Sequence, residues 1–393
     1  MCRDRFLLSA GAAAVLLALL VPAGAAAYDF RLVPSVAVRE EYNNNLFFSQ
    51  TDREDDWLLT VSPGVDASWK TERSEAGFGA RLEWQNYNEN SDLDATDYSV
   101  SGRFTHRLST EFRLSGTGEF RRESRPDRHF EEAGQVDFSE NDRYDFGTAL
   151  EWILSEKTTA TASYSFEYLD YPEELARDSR LHTAGLGIMR SLPVSTGTTK
   201  ARMNLSYSRG DYENETTDSY TLTVGVFRSL HELWSVQVNA GAMHTRVEFE
   251  EGTGLESSSG TGFAGDASVM YTGERATATF ALSHGLSPSF GSSGASLRTS
   301  ATLGVERRFL HDISASFSAG YYRNSSDPGE YSTEEIDERS FRLRPGIRWK
   351  QSKYLSFDAS YQYSRVDYRL TGTRAEQSVV YAGATLSYPL FDE

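Results

Sequence analysis

The chain is 393 residues long, with 57 acidic against 39 basic residues, a formal net charge of -18 and a single cysteine. That balance argues against a nucleic-acid partner, because phosphates are held by concentrated positive charge and no basic patch is visible. Cys2 standing alone excludes a disulfide scaffold, a CxxC redox pair and a zinc ribbon. The 21 Tyr, 22 Phe and 6 Trp are a heavy aromatic load for so charged a chain, as in a β-rich protein.

Residues 1–27 read as an export signal. Arg3 and Arg5 precede an apolar run from Leu7 to Val21, and Ala25-Ala26-Ala27 is a small-residue cleavage site. The mature chain, residues 28–393, is expected to be one domain beginning near Tyr28. A membrane anchor needs about 20 apolar residues, whereas this run stops at Pro22. Cys2 lies ahead of the run and leaves with it, so it is no lipid-attachment site. No later run approaches about 18 apolar residues, which leaves an exported product that is either soluble or a β-barrel.

Beyond the signal, hydropathy alternates with period two to the end of the chain. Trp57, Leu59, Val61, Pro63, Val65, Ala67 and Trp69 alternate with Thr60, Ser62, Gly64, Asp66 and Ser68. The pattern returns at Tyr98–Phe104, Phe112–Phe120, Trp234–Ala242, Ile313–Tyr321, Leu355–Tyr363 and Val380–Tyr388. Soluble sandwiches alternate too, so connection lengths decide. Short turns fall around 108–110, 154–157, 230–232, 272–274, 310–312 and 351–353. Between them lie longer acidic segments at 43–56, 88–97, 122–142, 170–179, 210–218, 248–262 and 324–338. Short periplasmic turns against long outer loops predict an all-β fold: a single transmembrane antiparallel up-and-down β-barrel of about eighteen strands in the outer membrane. Its neighbours there are lipid and lipopolysaccharide. Trp69, Trp152, Trp234 and Trp349 fall near short turns, where an interfacial girdle belongs. Pro63-Gly64 and Pro345-Gly346 are expected to break ladder hydrogen bonds within strands and to give bulges or bends.

Pro34-Ser35-Val36, then Glu41-Tyr42-Asn43-Asn44-Asn45-Leu46-Phe47, then Asp55-Asp56-Trp57 through Pro63-Gly64-Val65 resembles the opening of the β-barrel porin type 2 family. The rest of the chain matches in hairpin rhythm alone. The resemblance implies an outer-membrane barrel and, through the association of many such proteins with exopolysaccharide production, a channel working with a periplasmic polysaccharide-export partner. The alternatives are a diffusion porin for small solutes and a non-conducting surface or adhesion barrel. Many outer-membrane barrels finish on an aromatic residue, whereas here Phe391 is followed by Asp392 and Glu393.

If the apolar face meets lipid, the opposite residues line the lumen. Arg81, Glu83, Arg103, Arg113, Glu119, Arg121, Arg143, Asp145, Glu151, Arg202, Arg298, Glu306, Arg342, Arg344, Arg348 and Asp358 fall on that side. Arg342, Arg344 and Arg348 form a basic ladder of the kind that selects anions in pores; alternatively these charges pair across strands and stabilise a wet interior. The longest loop, 122–142, carries Arg122, Arg125, Arg128 and His129 and is the natural constriction, or else a solvated loop.

Other motifs carry little. Gly260-Thr261-Gly262-Phe263-Ala264-Gly265 has dinucleotide spacing but opens a strand, not a helix. The histidines form no H-E-x-x-H pair and no G-x-S-x-G is present. Asp92, Asp94 and Asp97 lack EF-hand spacing. No catalytic set, cofactor or metal is expected.

Overall fold

The computed structural model describes residues 29–125, 140–171, 178–193, 198–212, 214–251, 253–288, 294–333 and 335–392. The expected signal, residues 1–27, lies outside them. Eighteen antiparallel strands follow one another around a closed barrel. They are β1 (Asp29–Asn43), β2 (Asp56–Lys70), β3 (Ser74–Tyr87), β4 (Ala95–Arg107), β5 (Phe112–Glu123), β6 (Asn141–Ser155), β7 (Thr158–Asp170), β8 (Ser179–Leu192) and β9 (Thr199–Tyr212). The second half comprises β10 (Glu215–His231), β11 (Trp234–Phe249), β12 (Ser258–Thr272), β13 (Ala276–Pro288), β14 (Ala295–Arg308), β15 (Ile313–Ser326), β16 (Ile336–Lys350), β17 (Leu355–Tyr368) and β18 (Thr373–Ser387). β1 pairs with β18 from Ser35↔Ser387 to Asn43↔Val379, which closes the cylinder. A short β19 (Phe391–Asp392) adds to β1 at Leu32 and Arg31.

Closure removes the sheet edge, so the ladders satisfy the backbone groups internally, as hydrocarbon demands. Burial is inverted relative to a soluble protein. The most deeply buried side chains include Asn45, Gln85, Glu215, Asn324 and Gln377, while Val38, Leu82, Trp84, Leu186, Val224 and Ile347 are exposed. An apolar surface this continuous has no place in water and marks the lipid-facing belt. Aromatic pairs rim it at both ends. Tyr42–Trp57 and the run Tyr98–Phe120–Tyr144–Tyr168 lie at the outer end, with Phe112–Trp152, Trp234–Tyr271 and Trp349–Phe357 at the turn end. The strands are 12 to 17 residues long, against about 9–11 needed to cross the hydrocarbon, so they extend past the bilayer.

The short turns are built locally. Ser109 Oγ accepts the Phe112 N–H, Ser352 Oγ the Leu355 N–H and Thr71 Oγ1 the Ser74 N–H, each 2.9–3.1 Å. This hydroxyl-capped turn recurs at three periplasmic ends.

Two expectations are corrected. Residues 210–218 do not form a long outer loop: β9 and β10 run on to Tyr212 and Glu215, which pair directly. Tyr207 packs at a tilt against Tyr220, ring centroids 4.9 Å apart, and donates to Asp218 at 2.6 Å, so the polar sequence is held as strand. The proline–glycine pairs do not create bulges either. Val61↔Trp84 and Gly64↔Arg81 keep one offset, as do Leu343↔Tyr363 and Gly346↔Ser360. Each proline interrupts one ladder without shifting its register, while shifts occur beside the turns at Ile153/Ser155 and Ser229/His231.

Candidate functional site

Strand alternation aims one side-chain set into the barrel, and the surface that faces solute is this lumen. Arg81, Glu83, Arg103, Arg113, Glu119, Arg121, Arg143, Asp145, Glu151, Arg202, Arg298, Glu306, Arg342, Arg344, Arg348 and Asp358 all occupy inward positions, opposite the exposed apolar set. They do not form one uniform ring.

On the β5–β7 wall the charges neutralise one another. Arg143 reaches Asp145 at 2.9 Å and Glu167 at 2.8 Å, and Arg121 reaches Glu119 at 3.2 Å and Glu123 at 3.3 Å. Arg113 lies 3.7 Å from Glu151. Such pairs knit strands together and leave little net field. Arg298 donates to Asn324 and Arg202 to Gln237.

The β16–β18–β1 wall is different. Tyr381, on β18, lies between two guanidinium groups: Arg39 Cζ is 5.1 Å and Arg344 Cζ 5.3 Å from its ring centroid, and Arg344 donates to the phenol oxygen at 3.0 Å. Stacking on an aromatic face fixes the guanidinium planes while keeping their charge. Below this stack a recess of about 530 Å³ is lined by Arg344, Arg348, Asp358, Glu306, Ser316 and Ser318 among others. A second recess of about 510 Å³, bordered by Arg103, Glu119, Asp145, Asp66 and Ser101, lies across the β18–β1 closure on the β1–β6 wall. Both lie in the periplasmic half.

The outer half is more closely packed, apart from a recess of about 260 Å³ lined by Tyr212, Thr217, Met243 and Ser287 among others. Inward-facing Thr60, Gln85, Ser296 and Ser364 are at most 2% exposed. The β1–β2 segment, 44–55, folds inward and is held by the Asn triplet. Asn45, 0% exposed, donates to Ser49 O and Glu376 O at 2.8 Å each and accepts the Ser49 N–H at 2.8 Å. Its own carbonyl accepts from Gln377, and Asn44 accepts the Ser378 N–H. The triplet therefore ties the first loop to the last strand. Phe48, with φ of 52°, packs on Val366 and Ala375, while Leu46 packs on Leu58 and Tyr87. Tyr331 joins Val247 and Ala295 on the far side; burial, and then Glu330 beside it, push its phenol pKa up, so it stays neutral.

The expected constriction residues divide. Arg125 reaches Glu41 at 2.6 Å in a nearly dry pair that spans β1 and the end of β5. Arg122 sits on the outward face of β5 and pairs with Glu140 and Asp142. Arg128 and His129 lie outside the described residues. Asp94 and Asp97 bind protein donors, at Tyr87 N and Gln85. The sequence reading missed Arg39 and Tyr381; an aromatic residue on the small, polar face of β18 was the available signal.

The model of the family described as putative beta-barrel porin 2 matches residues 20–145, the segment that carries the Asn triplet. The closed eighteen-strand cylinder and its exposed apolar belt make the protein an outer-membrane β-barrel, similar over that segment to this family. A search of curated protein sequences gives no match. Solved structures that are similar include Pseudomonas aeruginosa OccK9 (OpdG), 12% identical with a TM-score of 0.49, covering 92% of this chain and 99% of that one. P. aeruginosa OpdK with vanillate is 10% identical, with a TM-score of 0.46 and coverage of 91% and 99%. Acinetobacter baumannii OccAB1 is 12% identical, with a TM-score of 0.47 and coverage of 92% and 97%.

Proposed function

We propose that this porin-like barrel is a channel for hydroxyl-rich anionic solutes, and that its cargo is an acidic exopolysaccharide leaving the cell. The observation that carries this reading is the Arg39–Tyr381–Arg344 stack above a recess floored with serines. Fixed guanidinium groups attract carboxylates, serine hydroxyls exchange hydrogen bonds with sugar hydroxyls, and an aromatic ring offers a sugar an apolar face. The recesses lie in the half nearer the short turns, the side from which exported polymer would arrive, and a periplasmic export protein docked on those turns would deliver it.

The second reading, a diffusion porin for small anionic solutes, draws on the same recess and needs no partner. Replacing Arg342, Arg344 and Arg348 together with glutamate changes one wall by about six charge units without touching the lipid-facing residues. Export predicts normal barrel assembly with reduced surface polysaccharide and a shift of channel selectivity toward cations. If selectivity moves while polysaccharide output does not, the diffusion reading replaces export. If neither moves, the ladder is structural.

A further inference from the structure

The outward face of the barrel carries its own cationic site. Arg323 on β15 and Arg339 on β16 are direct cross-strand partners on the same face. Like charges so placed, with Cβ atoms about 4.5–5.5 Å apart, repel unless an anion lies between them. Arg339 Nε is buried and has no hydrogen-bond partner among the described residues. The acids nearby do not resolve this. Asp367, across from Arg339, is held by Arg365 at 2.9 and 3.0 Å and by Arg374 at 2.7 Å. Asp337, next on the same face of β16, makes no ion pair with either arginine among the described residues, and one of its own oxygens is buried without a hydrogen-bond partner. Elsewhere on the outer rim, Arg209 is matched by Asp211 at 3.2 Å, Arg246 by Glu248 at 2.7 Å and Arg122 by Glu140.

The level of the pair says which anion fits. Tyr321 and Phe341 are cross-strand partners one step toward the membrane centre, 41% and 36% exposed on the lipid face. Two guanidinium groups directly above an aromatic pair match an amphiphile with a phosphate at the interface and acyl chains beneath it.

We propose that Arg323 and Arg339 bind a phosphate group of a lipid A-type headgroup in the outer leaflet. Each guanidinium presents a fork of donors to one phosphate, the acyl chains lie along Tyr321 and Phe341, and the anion removes the repulsion between the two arginines. The site is independent of the lumen.

The test is native mass spectrometry of the purified, folded mature barrel, using bisphosphorylated lipid A and the same lipid stripped of phosphate as probes. The barrel retains the phosphorylated lipid, and Arg323→Gln/Arg339→Gln weakens that binding by about tenfold or more. Arg323→Lys/Arg339→Lys falls between them, and the stripped lipid binds the barrel and the Gln variant alike. Heat-modifiable gel migration shows that each variant is folded. Equal binding of phosphorylated lipid by the barrel and the folded Gln variant overturns the proposal. So does an equal loss in Arg209→Gln, which would mean generic rim charge. Full displacement by millimolar inorganic phosphate would also overturn it, assigning the site to a solute anion.

Discussion

Asn45→Ala cuts the tie between the first loop and the last strand. The side chain makes three hydrogen bonds of 2.8 Å at 0% exposure, so truncation leaves the Ser49 N–H, the Ser49 carbonyl and the Glu376 carbonyl without that partner. At about 1 kcal/mol net for each bond, docking of segment 44–55 weakens by about 3 kcal/mol, which is roughly a 150-fold shift toward the undocked loop. The strands do not depend on this side chain, because β1 and β18 keep their ladder from Ser35↔Ser387 to Asn43↔Val379. The assay uses Ser49→Cys as a reporter. Its modification by a membrane-impermeant maleimide on intact cells should rise steeply when Asn45→Ala is added, and channel openings in planar bilayers should become larger and more frequent. Unchanged labelling and unchanged conductance, with normal heat-modifiable barrel, would refute the assignment of Asn45 as the latch.

Breaking the buried Arg125–Glu41 pair with Arg125→Ala strands a carboxylate that is 4% exposed, at a cost of about 3–5 kcal/mol. Thermal unfolding should shift down, and adding Glu41→Gln should recover part of the loss. Gly241→Ala places a Cβ against the Leu222 carbonyl and Thr223 Cα, backbone atoms of the paired strand that cannot swing aside. Overpacking there costs about 1–3 kcal/mol, to be read as a lower yield of heat-modifiable barrel. Epitope tags inserted near Asn214 or Ser258 should be accessible on intact cells, and tags near Glu156 or Ser352 should not; the opposite pattern would reverse the orientation of the barrel.

The fold was legible because a barrel writes itself in period two. Trp57 through Trp69 names one face and Thr60 through Ser68 the other, and one inward set is enough to place Arg342, Arg344 and Arg348. Loop lengths were less legible. Segment 210–218 looks like a loop from its glycine, aspartates and asparagine, yet the Tyr207–Tyr220 contact and the Tyr207–Asp218 bond carry both strands through it. The Pro63 and Pro345 bulges failed for a related reason, since a missing N–H interrupts a ladder without demanding an extra residue. Least legible was the division of the lumen. Arg143 and Arg344 look alike in sequence, but one meets carboxylates from its own and the neighbouring strand and the other meets a tyrosine two strands away. Asn45 stood in view within a recognisable motif, but its role depends on Glu376 and Gln377, more than 300 residues along the chain.

The most direct test of an anionic-saccharide channel is current block in a planar bilayer. Oligo-uronate and a neutral oligosaccharide of the same length are added in turn to the side of the short turns, using the barrel with the Asn45→Ala mouth. Interruption of the current by the oligo-uronate at concentrations where the neutral sugar has no effect, lost on Arg342→Glu/Arg344→Glu/Arg348→Glu, is the predicted result. Equal block by both sugars, or block by neither while current flows, would contradict it.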